Sequence, residues 1–522
     1  MSQIAEESSF SKIRSLFWPI HRFELKKFIP MLIIYALIVF NYTLLKSVKD
    51  ALVVTASGAE ALPFIKIWAI FPMAVFFTYL FTVLSNKFNR EKVFYIMMGI
   101  FLSFFFLFGF VLYPFKHILH PDQMALKLQE ILPAGFNGLI MIFKNWSFTL
   151  FYVMSELWGA IIMSVLFWGF ANEVSSVKDA KRFYAILGVG ANIATIFAGQ
   201  LSVYLSKSSG KTLFIFSNDP WGESLALASS LVVIFGLCAI FVYRWMNKRV
   251  FKACPEGFDK MHEINHEPKQ KMSLRKNFSY LANSKYLIYI AIIVLTYNIS
   301  LIMVEVVWKD QIKNLFPNPS DYFGYMGKVN TSIGIISTIV GLFICGSVVR
   351  RCGWTIGALV TPVMLLVTSI LFFTFIFFKD TKLTTFAYIL GSTPLAIGVF
   401  FGSLQNSLSR ACKFTFFDTT KEMSFIPLSK ECKLKGKAAI DGVGSRLGKT
   451  GGSLVHQLLL IVYGSVSSST PIVAVILFAV VIAWIFAVRA LGIQFDALTK
   501  RQEEKPFSIT EETNSTEALT NV

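Results

Sequence analysis

A chain of 522 residues that is 55% hydrophobic and only 15% charged, with mean hydropathy +0.60, has too little polar surface to coat a water-soluble globule of its size. Its net charge of +18 comes from basic residues that alternate with apolar runs and form no single patch, which argues against a nucleic-acid partner. The six cysteines (238, 254, 345, 352, 412 and 432) form no CxxC pair and the six histidines no HExxH spacing, so no disulfide framework, metal site or cofactor is expected.

The expected solvent is lipid. Residues 1–27 form a mixed segment ending in Lys26-Lys27, and the uncharged run Phe28 to Leu45 that follows lacks a small-residue cleavage site, so it reads as a first membrane span. Hydropathy and helix punctuation place further spans near 64–85, 92–114, 145–170, 183–206 and 224–244. A polar, basic stretch over 245–285 separates these six from a second set near 286–307, 329–349, 354–378, 384–409, 438–463 and 470–492. Residues 493–522 read as a tail, disordered where Glu, Ser and Thr dominate after Arg501. The 53 phenylalanines suit lipid-facing and helix-packing positions, and none is assigned individual chemistry.

Lys and Arg concentrate in alternate connections: Lys87, Arg90 and Lys92, then Lys178, Lys181 and Arg182, then Arg244, Lys248, Arg249 and Lys252. Arg350-Arg351 and the Arg410 to Lys437 segment fall on the same side, so both termini are expected in the cytoplasm. Two six-helix bundles joined by a basic loop follow the major-facilitator plan, giving an all-α polytopic fold of about twelve transmembrane helices. Weak internal correspondence agrees: Ser85 to Arg90 parallels Gly346 to Arg351, and Tyr42 before Lys49-Asp50 parallels Tyr297 before Lys309-Asp310.

Ionisable groups within spans carry the functional signal, because each costs roughly 2.5–3.5 kcal/mol or more in hydrocarbon unless it meets water or a partner. On one helix face Lys46, Lys49 and Asp50 would place two cations beside one carboxylate; the alternative is that the lysines snorkel to the interface. Glu156 sits about three turns inside the fourth span and needs a partner, as counter-ion to a substrate-binding cation, as a proton-coupling site, or in a structural ion pair. Glu305 can pair with Lys309 one turn later.

The segment from Lys433 to Gly452 is the richest. As a helix, Lys437 to Lys449 would extend about 18 Å and set Lys437, Arg446 and Lys449 against Asp441, a polyanion site in which Arg446 can fork onto phosphate oxygens. Positive-inside anchoring accounts for Lys433 and Lys435 more readily than for Arg446 and Lys449, which lie deeper. Gly448-Lys449-Thr450 is no P-loop, since the glycine spacing is short by one and no strand leads in. In the fifth span Gly188, Gly190, Ala191, Ala194 and Gly199 allow close helix approach, and Asn192 among them is a substrate donor or an interhelical hydrogen bond.

The chain resembles the non-mitochondrial ATP/ADP translocases of plastids and obligate intracellular bacteria, most of all their chlamydial form. Phe40 to Trp68, Trp146 to Glu173, Val304 to Lys309, Asp418 to Pro427 and Lys435 to Gly452 carry the resemblance. It implies a facilitator-like exchanger, not an enzyme, that imports ATP and returns ADP, with phosphate in some members, across the bacterial inner membrane. It also implies functional roles for a first-region lysine (Lys46, Lys49 or Lys66), for Glu156 and Glu305, and for a lysine of the KGKAAID motif, Lys435 or Lys437. Arg446 stands where plastid relatives carry an uncharged residue, so the substrate range can differ. The expected partners are therefore ATP, ADP and the bilayer, with the protein monomeric. A proton-coupled nucleotide (NTP or NAD) symporter with Glu156 as proton carrier is the rival reading.

Overall fold

In lipid an apolar run must satisfy its own backbone hydrogen bonds, and a helix is the local way to do so. The computed structural model describes residues 20–175, 177–207, 219–251, 284–378, 382–389, 391–428, 440 and 444–503, and no strand occurs among them. The first six long helices are α1 (Leu25–Ser57), α2 (Ala61–Lys87), α3 (Arg90–Leu112), α4 (Trp146–Val174), α5 (Val177–Lys207) and α6 (Pro220–Val250). The second six are α7 (Lys285–Leu315), α8 (Pro319–Ile339), α9 (Gly353–Phe377), α10 (Pro394–Cys412), α11 (Ser445–Tyr463) and α12 (Val466–Lys500).

Each expected span overlaps one of these helices, but α8 begins at Pro319 where a span from 329 is expected, and α10 begins at Pro394 where one from 384 is expected. Nine long helices among the described residues are apolar enough to cross a membrane by length and composition. The remaining three, α8, α10 and α11, hold buried polar side chains such as Asn330, Gln405 and His456. Most of the expected linker over 245–285 lies outside the described residues, as do 1–19 and 504–522. Helix continues through Glu503, so residues 493–503 of the expected tail are helical.

Local chemistry sets several boundaries. Asp219, Asn318 and Thr393 each cap a helix whose first residue is proline, accepting from the backbone N–H of Gly222 (3.0 Å), Ser320 (2.9 Å) and Ala396 (3.2 Å). Helix α11 ends at Gly464, whose φ of 76° lies in the left-handed region that favours glycine. Gly353, with φ 83°, breaks the run Cys345–Phe377 where α9 begins.

Helices α1 and α7 form the centre. Helix α1 is tied to α4 by Trp158 Nε1 donating to the Ile38 carbonyl (3.1 Å) and to α6 by Asn41 Nδ2 donating to the Val232 carbonyl (2.9 Å). Helix α7 is tied to α10 by Trp308 Nε1 donating to Ser403 Oγ (3.1 Å), and Tyr297 meets Trp484 of α12 edge-on. The two six-helix bundles join where α5 crosses α8 and where α2 packs against α11. At the first crossing a Cβ on Gly327 would stand 2.7 Å from the Gly199 carbonyl, and one on Gly334 would stand 2.8 Å from the Asn192 carbonyl, so small residues permit the approach.

Candidate functional site

Two features of the backbone aim the charged side chains inward. Lys46, Lys49 and Asp50 lie within about one turn of α1, and Glu305 and Lys309 one turn apart on α7. Wide, π-helical turns then rotate the neighbouring helices: Ile65–Ile70 holds Lys66, and Trp158–Phe167 begins two residues after Glu156. Such turns often mark functional positions in helices.

The six central groups form a ladder of alternating charge. Lys49 Nζ lies 2.6 Å from Glu156 Oε1 and 3.2 Å from Asp50 Oδ1. Lys309 Nζ lies 2.8 Å from the same Asp50 oxygen and 2.7 Å from Glu305 Oε1. Lys66 Nζ closes the ladder, 2.7 Å from Glu305 Oε2. Three cations thus face three carboxylates, and the Asp50–Lys309 and Lys66–Glu305 contacts join the two bundles. Lys49 and Asp50 are almost fully buried, and the Lys49 ammonium also stands 3.7 Å over the Tyr152 ring. Glu156 keeps about a third of its side chain exposed (34%), so one end of the ladder reaches an open space.

The expectation that Lys46 and Lys49 share one carboxylate is corrected. Lys49 takes Asp50, whereas Lys46 Nζ points to Asn330 Oδ1 of α8 at 3.5 Å, and Asn330 in turn donates to Ser47 Oγ at 2.8 Å. At 8% and 1% exposure, Lys46 and Lys49 are not snorkelling anchors. The expected Glu305–Lys309 pair is present, but it extends to Asp50 and Lys66. Asn192 lies at the α5–α8 crossing, apart from the ladder.

From α11, Lys449 is exposed and within electrostatic reach of Lys413, Glu156, Lys66 and Glu305, and Arg446 is exposed one turn before it. Lys437 and Asp441 lie outside the described residues. Asp50 and Lys309, expected as partners of the functional charges, are themselves central, and the Lys-Asp pair repeated at the end of the first and seventh spans is their signal in the sequence. Of the three first-region lysines that the resemblance implies, Lys49 and Lys66 enter the ladder and Lys46 does not. Asn330 has no signal of its own, since a polar residue near a span end also suits anchoring. Among the described residues the centre can hold the bundles together; its lysines are engaged by carboxylates, with no nucleophile and base in hydrogen-bond reach.

Comparison with known proteins gives this centre a context. The fold is major-facilitator-like. Over 91% of this chain and 99% of the other, the structure resembles a bacterial homologue of the iron transporter ferroportin in its inward-facing state, with TM-score 0.53 and 16% identity, a likeness of fold alone. The ADP,ATP carrier protein 1 of Chlamydia trachomatis is 46% identical over 512 residues, 97% of this chain and 95% of the relative. The chloroplastic ADP,ATP carrier protein 2 of Arabidopsis thaliana is 41% identical over 484 residues, 92% of this chain and 76% of the relative. The family described as TLC ATP/ADP transporter matches residues 3–495, nearly the whole of the sequence, and the chain belongs to that family of membrane transporters.

Proposed function

We propose that this protein exchanges ATP for ADP across the bacterial inner membrane by alternating access, without hydrolysis. The observation that carries the reading is the ion ladder: it joins the two bundles through side chains in the second halves of α1 and α7, while Lys46, and Lys449 within its electrostatic reach, make no ion pair among the described residues. With the termini cytoplasmic, as the alternating basic connections support, the ladder closes the outer side. Substrate then enters and leaves on the cytoplasmic side, and outward opening requires the Asp50–Lys309 and Lys66–Glu305 contacts to part.

Nucleotide phosphates supply what the unmatched cations lack. An empty carrier that closed would bury those cations uncompensated, a penalty of several kcal/mol per ion, whereas a nucleotide offsets it and lets the bundles rock. Exchange rather than net uptake follows. The moving units are residues 28–244 and 286–492, joined by the 245–285 linker, in a monomer. Glu156 and Glu305 hold the lysines in place, Lys437 adds its charge to those of Arg446 and Lys449 with Asp441 as counter-charge, and phosphate can return with ADP. Asn192 serves the bundle interface, whose small residues support that role. If one net charge moves per cycle, the membrane potential contributes about 2.3 kcal/mol per 100 mV.

Labelled ATP uptake into proteoliposomes tests the reading. Vesicles loaded with ADP are expected to accumulate label, and empty vesicles are not. Equal accumulation in the two would overturn exchange and point to a symporter.

A further inference from the structure

Helix α6 has two distinct faces. Val232, Gly236, Ala239, Tyr243 and Met246 are buried, and Tyr243 stacks on Phe94 of α3 with ring centroids 4.0 Å apart. On the opposite face Ile234, Leu237, Phe241 and Trp245 recur at helical spacing and are 52%, 55%, 70% and 46% exposed. In a membrane transporter that apolar face meets lipid. The stripe ends in charge, since Arg244, Lys248 and Arg249 are all exposed in the last turns of α6, on the side of the alternating basic connections. A wide π-helical turn over Asn247–Phe251 carries Lys248 and Arg249.

Other basic side chains at this end of the first bundle are neutralised within the chain. Arg90 pairs with Glu173, and Arg182 lies 2.6 Å from Glu24 and 3.1 Å from Asp179. Glu91, at the start of α3, accepts from the Tyr95 hydroxyl at 2.7 Å. Arg244, Lys248 and Arg249 make no ion pair among the described residues.

We infer that this face of α6 seats an anionic phospholipid, its phosphate held by Arg244, Lys248 and Arg249 and its acyl chains laid along Phe241, Leu237 and Ile234. The dimensions agree. From Ile234 to Arg244 the helix rises about 15 Å, the hydrocarbon depth of one leaflet, which is half of a core of about 30 Å. Trp245 stands where the apolar stripe meets the cations, the level that an indole prefers at the headgroup boundary. A guanidinium forks onto phosphate oxygens and an ammonium adds a point charge, so three cations without carboxylates suit a headgroup of net negative charge better than a zwitterion. A free phosphate would use the cations alone, whereas the apolar stripe continuing from them suits a lipid. The buried face fixes the seat, because Val232 is tied to α1 by Asn41 Nδ2 at 2.9 Å and Tyr243 to α3. This seat is independent of which solute the carrier moves.

Delipidated protein in detergent, titrated with phosphatidylglycerol or with phosphatidylcholine of the same acyl chains, provides the test, with bound lipid counted by native mass spectrometry. The first phosphatidylglycerol is expected to bind about a hundredfold more tightly than the first phosphatidylcholine, about fivefold for each of three cations. The triple variant Arg244→Gln, Lys248→Gln, Arg249→Gln should lose that preference and keep its affinity for phosphatidylcholine. Equal binding of the two lipids by the wild-type protein, or an undiminished preference in the triple variant, overturns the proposal. Where the triple variant does not fold, Lys248→Gln alone carries the test: a loss of about fivefold is expected, and unchanged affinity for phosphatidylglycerol overturns the seat. Excess inorganic phosphate should leave the lipid bound; displacement of the lipid would mark a site for free phosphate and overturn the lipid assignment.

Discussion

The Asp50–Lys309 contact gives the sharpest prediction, because one buried oxygen serves two lysines across the bundle boundary. Asp50 is fully buried and its Oδ1 lies 2.8 Å from Lys309 and 3.2 Å from Lys49. Removing one member of a buried ion pair costs about 3–5 kcal/mol. In Asp50→Asn the two lysines keep one carboxylate each, Glu156 at 2.6 Å and Glu305 at 2.7 Å, so the lower end, about 3 kcal/mol, is expected. Applied to the equilibrium between closed and opened bundles, about 3 kcal/mol is roughly a hundredfold change in population. A cysteine at Ser47, fully buried at the bundle interface, reports the opening in an otherwise cysteine-free chain. Its alkylation from the side opposite the termini should speed up by about that factor in Asp50→Asn. Lys309→Met should behave similarly, and the double variant should be less affected than the sum, with a coupling of about 2 kcal/mol or more. Alkylation rates within twofold of the parent in both single variants would refute the latch.

Glu156→Gln removes the 2.6 Å partner of Lys49 and is expected to lower exchange about tenfold or more without loss of folded protein on size-exclusion chromatography, with Glu156→Asp in between. Gly327→Val should lower the melting temperature, because the added atoms collide with the Gly199 carbonyl, an overpacking cost of about 1–3 kcal/mol. Gly188→Ala, whose Cβ would meet nothing within 4 Å, should be neutral or slightly stabilising in the same melt. The connection before α6 predicts a pH effect. A backbone bond from Gly222, the Lys116 ammonium and the Tyr113 hydroxyl hold the Asp219 carboxyl below its ordinary value of 3.8. A lowered carboxylate stabilises above its unfolded value and loses that contribution as pH falls through the folded one, so this part of the melting temperature should stay flat from neutral pH to about 4 and fall only in stronger acid. Asp219→Asn should already lack it at neutral pH, and a mid-range transition would contradict the assignment.

The membrane solvent, the helical segments and the two-bundle plan are legible in the residues, because spanning lipid demands long apolar runs and alternating basic connections that need no tertiary information. The presence of buried charge at positions 46, 49, 156 and 305 is equally legible, since each stands out against its apolar neighbours. Their pairing is not. Lys49 and Lys46 are three residues apart on one helix, yet one joins Asp50 and Glu156 and the other turns to Asn330, 284 positions from it in sequence. Lys66 reaches Glu305, 239 positions distant, because a π-helical turn and the approach of α7 bring them together. Helical periodicity sets which side chains share a face, whereas the packing of two separately folded bundles chooses which charges meet across it, and so decides which cations are already neutralised and which remain for a substrate.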